Sequence, residues 1–167
     1  CPSGKLNETY PMHCEDTPVQ HYYPSKERSS EYREALYVGY RYYTTVDKKV
    51  RFPFGFGLSY TTFKYSDLKI DESGVTFQIR NTGKIKGTEI AQLYVGRKSD
   101  TVFRPVRELK GFARVTLEAG ESKTVHIGFD DKTFRFYDTR TDTWEIETGD
   151  YEIMVGCDAQ TMLLTDK

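Results

Sequence analysis

Two glutamates come nearest to a catalytic pair. Glu145 and Glu147 lie two apart in Thr143-Trp-Glu-Ile-Glu147. On an extended strand both project from one face, with Cα atoms about 7 Å apart. Their carboxyls can close to the ~5 Å at which one attacks while its partner transfers a proton. Adjacent carboxylates on one face, however, cannot flank a bond from opposite sides. The same spacing predicts instead that Trp144 and Ile146 face a core and that the glutamates form the wetted side of the strand. Glu31 and Glu34 share a face at helical spacing, but Arg28 and Arg33 beside them make a solvated charge cluster.

Other reactive residues are scattered. His13, His21 and His126 do not cluster, and Cys1, Cys14 and Cys157 form no CxxC, so neither a zinc site nor a disulfide framework is expected. His126 falls on the polar side of an alternating strand. Gly55-Phe-Gly57 lacks the length and the Lys-Ser/Thr ending of a phosphate loop. Lys84, Lys86, Arg97, Lys98, Arg104, Arg107 and Lys110 are interleaved with acids, and the net charge is −1. That argues against nucleic-acid binding. No apolar run reaches the ~18 residues of a membrane span. No catalytic, cofactor-binding or metal-ligating residue is therefore assigned.

The elements that would position such residues differ between the two ends of the chain. Residues 1–59 carry Pro2, Pro11, Pro18, Pro24 and Pro53 and clustered tyrosines, with no sustained period. Ser30 is placed to cap a short helix through Tyr37, with Gly39 ending it. From Thr61 onward the pattern has period two. Phe63, Tyr65, Leu68 and Ile70 read as a first strand with an irregularity between the pairs. Runs at Val75–Ile79, Ala91–Val95, Val115–Leu117, Val125–Phe129, Phe134–Phe136, Trp144–Ile146, Ile153–Val155 and Met162–Leu164 follow, separated by Asn81-Thr-Gly83, Glu118-Ala-Gly-Glu121 and Thr148-Gly-Asp150.

Short alternating strands without helices need a second sheet over their apolar face. The expectation is thus an all-β antiparallel sandwich of immunoglobulin or fibronectin type III type, with a barrel as the alternative. Its core should hold Phe77, Leu93, Val125, Ile127, Trp144, Ile153 and Val155. Thr76, Gln78, His126, Glu145 and Glu147 should lie outside, and Tyr94 and Tyr137 are candidates for exposed aromatics.

Phe52-Pro-Phe-Gly-Phe-Gly-Leu-Ser-Tyr-Thr-Thr-Phe63 resembles the junction in glycoside hydrolase family three enzymes, the β-glucosidases and β-xylosidases. There it leads from an α/β-sandwich domain into a fibronectin type III-like domain. Arg107-Glu-Leu-Lys-Gly-Phe112 and Glu118-Ala-Gly-Glu121 are similar to segments of that second domain. Tyr37-Val-Gly-Tyr-Arg-Tyr-Tyr43 is similar to the family's stretch just before the junction, and Gly4-Lys-Leu-Asn-Glu-Thr-Tyr-Pro11 to the end of the first domain.

The resemblance implies that residues 1–59 are the remnant of an α/β domain with its linker, and that residues 60–167 are the fibronectin type III-like sandwich. It places the aspartate nucleophile on a barrel domain and the acid/base glutamate on the α/β domain. No Ser-Asp-Trp, Ser-Asp-Tyr or Glu-Gly motif of those sites occurs here. The expectation is a non-catalytic module of a retaining β-glycosidase, partnered by the missing catalytic domains, with β-linked glycosides as the parent's substrate and no cofactor, nucleic acid or membrane. A carbohydrate-binding or adhesion module is the alternative. A protein–protein recognition domain unrelated to sugar gives no reason for the first 59 residues. The Cys-Pro-Ser-Gly start reads as a piece of a longer chain, and the odd number of cysteines favours the cytoplasm. Residues 1 to about 50 are expected to be a loosely packed limb, with the phenylalanines near 52–56 plugged into the sandwich.

Overall fold

The computed structural model describes residues 1–25, 28–98 and 102–166. Lys26 and Glu27, within the expected loop-rich segment, lie outside the described residues. Two antiparallel sheets form the body. One contains β3 (Phe63–Asp71), β4 (Gly74–Asn81) and β7 (Ser122–Gly128) in that order. The other has the order β11 (Met162–Asp166), β10 (Glu152–Gly156), β5 (Gly87–Gly96), β6 (Glu108–Leu117). Two ribbons stand apart: β1 (Tyr10–Pro11) with β2 (Val50–Phe52), and β8 (Phe136–Asp138) with β9 (Thr143–Glu145).

Period-two patterning explains the sandwich. Val75, Phe77 and Ile79 on β4 are fully buried and meet Leu93 and Val95 of β5, Val125 and Ile127 of β7, and Ile153 and Val155 of β10 in one core. The expected irregularity in the first strand is a bulge between Ser66 and Lys69, where Asp67 takes a positive φ of 56°. It lets Tyr65 and Ile70 both point inward although their spacing is odd. Gly111 on β6 faces the other sheet closely: an added Cβ would press on Ile127.

The turn at Asn81-Thr-Gly83 is built on a buried amide. Asn81 Oδ1 accepts from Thr61 Oγ1 (2.5 Å) and from the Gly83 amide (3.0 Å), while Nδ2 donates to Ile85 O (2.8 Å) and Leu117 O (3.2 Å). Every polar atom of the side chain is satisfied, so the network costs little and fixes the first residues of the sandwich against both sheets.

Three expectations are corrected. Trp144 is 62% exposed and Ile146 also faces solvent, whereas Glu145 and Glu147 are half-buried. β9 belongs to a ribbon outside both sheets, so the core makes no demand on its apolar side, and Trp144 pairs with Tyr137 across the ribbon instead. Tyr94 is fully buried. The outer face of β5 is covered by a second cluster of Tyr94, Met154 and Ala159 with Tyr40, Phe54 and Leu109. The short helix is α1 (Tyr40–Thr45), and Gly39 begins it with φ 58° rather than ending an earlier one. Residues 33–36 form only a turn, with Ala35 at φ 47°.

Truncating Phe77 to Ala should cost roughly 3–5 kcal/mol, as for other large buried side chains. Trp144→Ala should cost about 1 kcal/mol or less, the value of one exposed aromatic pair. Urea denaturation of the two variants checks this, and equal losses would restore Trp144 to the core.

Candidate functional site

Glu145 and Glu147 have separate partners. Glu145 accepts from Thr141 Oγ1 at 2.5 Å. Glu147 Oε2 lies 3.0 Å from Arg97 Nε and 3.5 Å from Arg104 Nη1, with its side chain 17% exposed. Arg97 goes on to donate to Thr148 O (2.8 Å) and Asp150 O (3.0 Å), and Tyr151 stacks under it. Glu147 is thus the anchor of a brace that holds the Thr148–Asp150 turn. Its carboxylate is committed to the two guanidiniums.

The segment that does gather unusual chemistry is the junction. Pro53 and Gly55 turn the chain so that Phe54 enters the second cluster against Tyr40, ring centroids 5.1 Å apart, while Ala159 N donates to Phe54 O at 2.8 Å. Gly55 has φ 83°, and a Cβ there would collide with the Gln92 side chain. Only glycine satisfies both conditions. Gln92 is itself fixed, donating from Nε2 to Cys157 O (2.9 Å) and accepting from Tyr94 Oη at Oε1 (2.6 Å). Burial pushes the Tyr94 phenol upward, so it stays a donor.

The first residues of the chain are latched to the same place. Leu6 N donates to Phe56 O and Gly55 N to Leu6 O, each at 2.8 Å. Lys5 Nζ lies 2.8 Å from Glu89 Oε1, with side chains 15% and 10% exposed, and reaches Cys157 O at 3.3 Å. Burial pushes the Cys157 thiol up to about 11, with Asp158 adding to the effect, so it is a packing residue rather than a nucleophile. α1 closes the other side: Tyr40 Oη accepts from Leu109 N at 2.8 Å. The expected limb is therefore divided. Residues 1–11 and 40–58 are fastened to the sandwich, and Tyr22, Tyr23 and Tyr32 between them are exposed.

Outside this latch lies an apolar groove. Leu6, Tyr10, Phe52, Phe56 and Leu58 line it with Pro2. Phe52 packs on Phe56 (4.9 Å) and edge-on to Tyr10 (6.3 Å). Leu58 and Tyr60 beside it are largely exposed. Large apolar side chains are thus held in place on the surface here.

The family model for a fibronectin type III-like domain matches residues 89–159. The chain is 46% identical over 165 residues to the probable β-glucosidase K of Emericella nidulans, covering 98% of this chain and 20% of that protein. The crystal structure of the Bifidobacterium adolescentis GH3 β-glucosidase superposes with a TM-score of 0.92 at 38% identity, covering 99% of this chain and 25% of that one. The chain belongs to glycoside hydrolase family three, with residues 89–159 matching its fibronectin type III-like domain. The chain also matches the exo-α-(1→6)-L-arabinopyranosidase of Bifidobacterium breve, at 38% identity over 98% of this chain and 22% of that protein. It spans about a fifth to a quarter of the length of these relatives. The likeness covers 98–99% of the chain in these relatives and so takes in nearly all of residues 1–59.

The Lys5–Glu89 latch was not legible in the sequence, because its partners lie more than 80 positions apart and neither stands in a motif. Replacing Glu89 by Leu should cost about 3 kcal/mol by leaving the Lys5 ammonium without its counter-charge in a largely buried site. Lys5→Met together with Glu89→Leu should recover most of that loss. A urea double-mutant cycle measures it, and additive single losses would show that the pair is not coupled.

Proposed function

We propose that this chain is a non-catalytic module of a β-glycosidase of the β-glucosidase or β-xylosidase type, and that it packs against the catalytic domains and stabilises them. The observation that carries the reading is the apolar groove of Leu6, Tyr10, Phe52, Phe56 and Leu58, held against the sandwich by the buried Lys5–Glu89 pair. A surface built for solvent would not combine fixed aromatics with a buried ion pair beneath them. In this reading residues 1–59 are the end of an α/β domain with its linker, and residues 60–167 are the sandwich. The rest of that α/β domain covers the groove.

The parent's chemistry is double displacement on β-linked glycosides, with nucleophile and acid/base supplied from outside this segment. No residue of this chain is assigned to catalysis, cofactor or metal. Two relatives support the separation of roles: similar segments belong to a β-glucosidase and to an arabinopyranosidase, so this segment does not set the sugar. Neither nucleic acid nor membrane enters the reading. No helix among the described residues is long and apolar enough to cross a bilayer.

The test uses the parent enzyme with and without this segment. The enzyme lacking it should lose several degrees of thermal midpoint or fail to accumulate, and adding the purified chain should restore part of the loss. Leu6→Asp with Phe56→Asp should abolish the rescue. The chain alone should not turn over aryl β-glucosides or β-xylosides. Full stability of the truncated enzyme, or turnover by the chain that Glu147→Gln removes, would overturn the proposal.

A further inference from the structure

The β8–β9 ribbon carries an assembly that neither the core nor the docking groove uses. Trp144, the one tryptophan of the sequence, stands on it largely exposed. Tyr137 meets it edge-on with ring centroids 5.5 Å apart, and its hydroxyl donates to the Asp142 carboxylate. Within the turn, Asp138 receives the Arg140 guanidinium at 2.6 Å, and that pairing holds its carboxyl down at about 2. The two rings are therefore presented by a braced hairpin rather than a loose loop.

This hairpin forms one wall of a groove of about 620 Å³, a size typical of ligand sites. Leu36, Val102, Phe103 and Pro105 add apolar lining, and the charged lining residues are mostly of one sign. Arg41, Arg104, Lys110, Lys132 and Arg135 face the groove, with Glu108 as the only acid among the described lining residues. Glu108 is shared between Arg41 (3.5 Å) and Lys110 (3.6 Å). Nearby, Asp131 meets Arg135 at 3.0 Å and Glu147 meets Arg104 at 3.5 Å. The excess of cations is thus confined to the lining side chains, since the hairpin's own Asp138, Asp142 and Glu145 are taken up by Arg140, Tyr137 and Thr141. Arg104 also lies 4.6 Å over the Phe136 ring, which fixes a guanidinium beside the aromatic wall.

We propose that this groove binds an acidic oligosaccharide, a short run of pyranoses bearing a uronate carboxylate. One sugar ring lays its C–H face on Trp144, its hydroxyls meet the Arg and Lys donors, and the carboxylate sits among Lys110, Lys132 and Arg135. A pyranose is apolar on its face and polar on its rim, which matches an exposed aromatic ring bordered by donors. The excess of cations selects the charged sugar over a neutral one. An acidic peptide would satisfy the cations but has no use for the flat, exposed indole. The groove shares no lining residue with the docking groove, although Leu36 and Arg41 come from residues 1–59.

Trp144 is its own reporter, since no other tryptophan contributes to the fluorescence. The purified chain is titrated with a xylo-oligosaccharide carrying a glucuronic acid branch, with the same oligosaccharide lacking the branch, and with oligoglutamate. The branched sugar should change Trp144 emission saturably. The neutral sugar should bind at least ~10-fold more weakly, and salt should weaken the acidic sugar's binding as it screens the cations. By calorimetry, Trp144→Ala should remove binding and Trp144→Phe should retain most of it. Lys132→Glu with Arg135→Glu should lower affinity by ~10-fold or more. An unchanged circular dichroism spectrum and urea midpoint would show that these variants are folded. No response to the branched sugar, equal affinity for its neutral counterpart, or tighter binding of oligoglutamate than of sugar would each overturn the proposal.

Discussion

Strand β5 has water on neither side, and much of the rest follows from that. Ala91 to Gly96 are buried without a break. Alternate residues enter two different interiors: Leu93 and Val95 join the sandwich core, while Gln92 and Tyr94 form the floor on which Phe54 and Tyr40 rest. A strand's side-chain period is two, so a slip of one residue would put Gln92 into the hydrocarbon core and take Leu93 out of it. Register is therefore fixed from both faces. The floor residues cannot be ordinary strand exteriors, because Gln92 must offer its amide to Cys157 and to Tyr94 while leaving room for Gly55.

This double burial explains what the sequence shows and what it hides. Alternation at Val75–Ile79, Val125–Ile127 and Ile153–Val155 places the core correctly: Gln78 and His126 take the wetted side, while Met154 between Ile153 and Val155 lies in the second cluster. The same rule misplaces Tyr94, because the cover over that face comes from Tyr40 and Phe54, about 40–55 positions earlier, and leaves no mark on the strand's own pattern. Trp144 fails for the opposite reason. Its ribbon joins neither sheet, so alternation there reports the pairing of Trp144 with Tyr137 rather than an inside and an outside. The aromatic junction was visible as unusual, and Phe54 does plug the sandwich, but the ion pair that fastens Lys5 to Glu89 joins residues in no shared motif.

The chemistry of the site follows the same division. The carboxylates that looked most like a catalytic pair are tied to Thr141 and to Arg97 and Arg104. They hold turns in place. What remains outward is apolar on the junction side and cationic around Trp144. A sandwich fixed by two interiors supplies a rigid base for both faces, and rigidity is what a module needs if its surface is to meet a neighbour without ordering cost at the moment of contact.

The most direct test of this account is amide hydrogen exchange on the isolated chain compared with the same residues inside the parent enzyme. The account predicts added protection at Leu6, Tyr10, Phe52, Phe56 and Leu58, with β4 and β5 equally protected in both. Unchanged exchange across that groove, or protection gained by β4 and β5 instead, would contradict the claim that a self-sufficient sandwich presents its junction face to the catalytic domains.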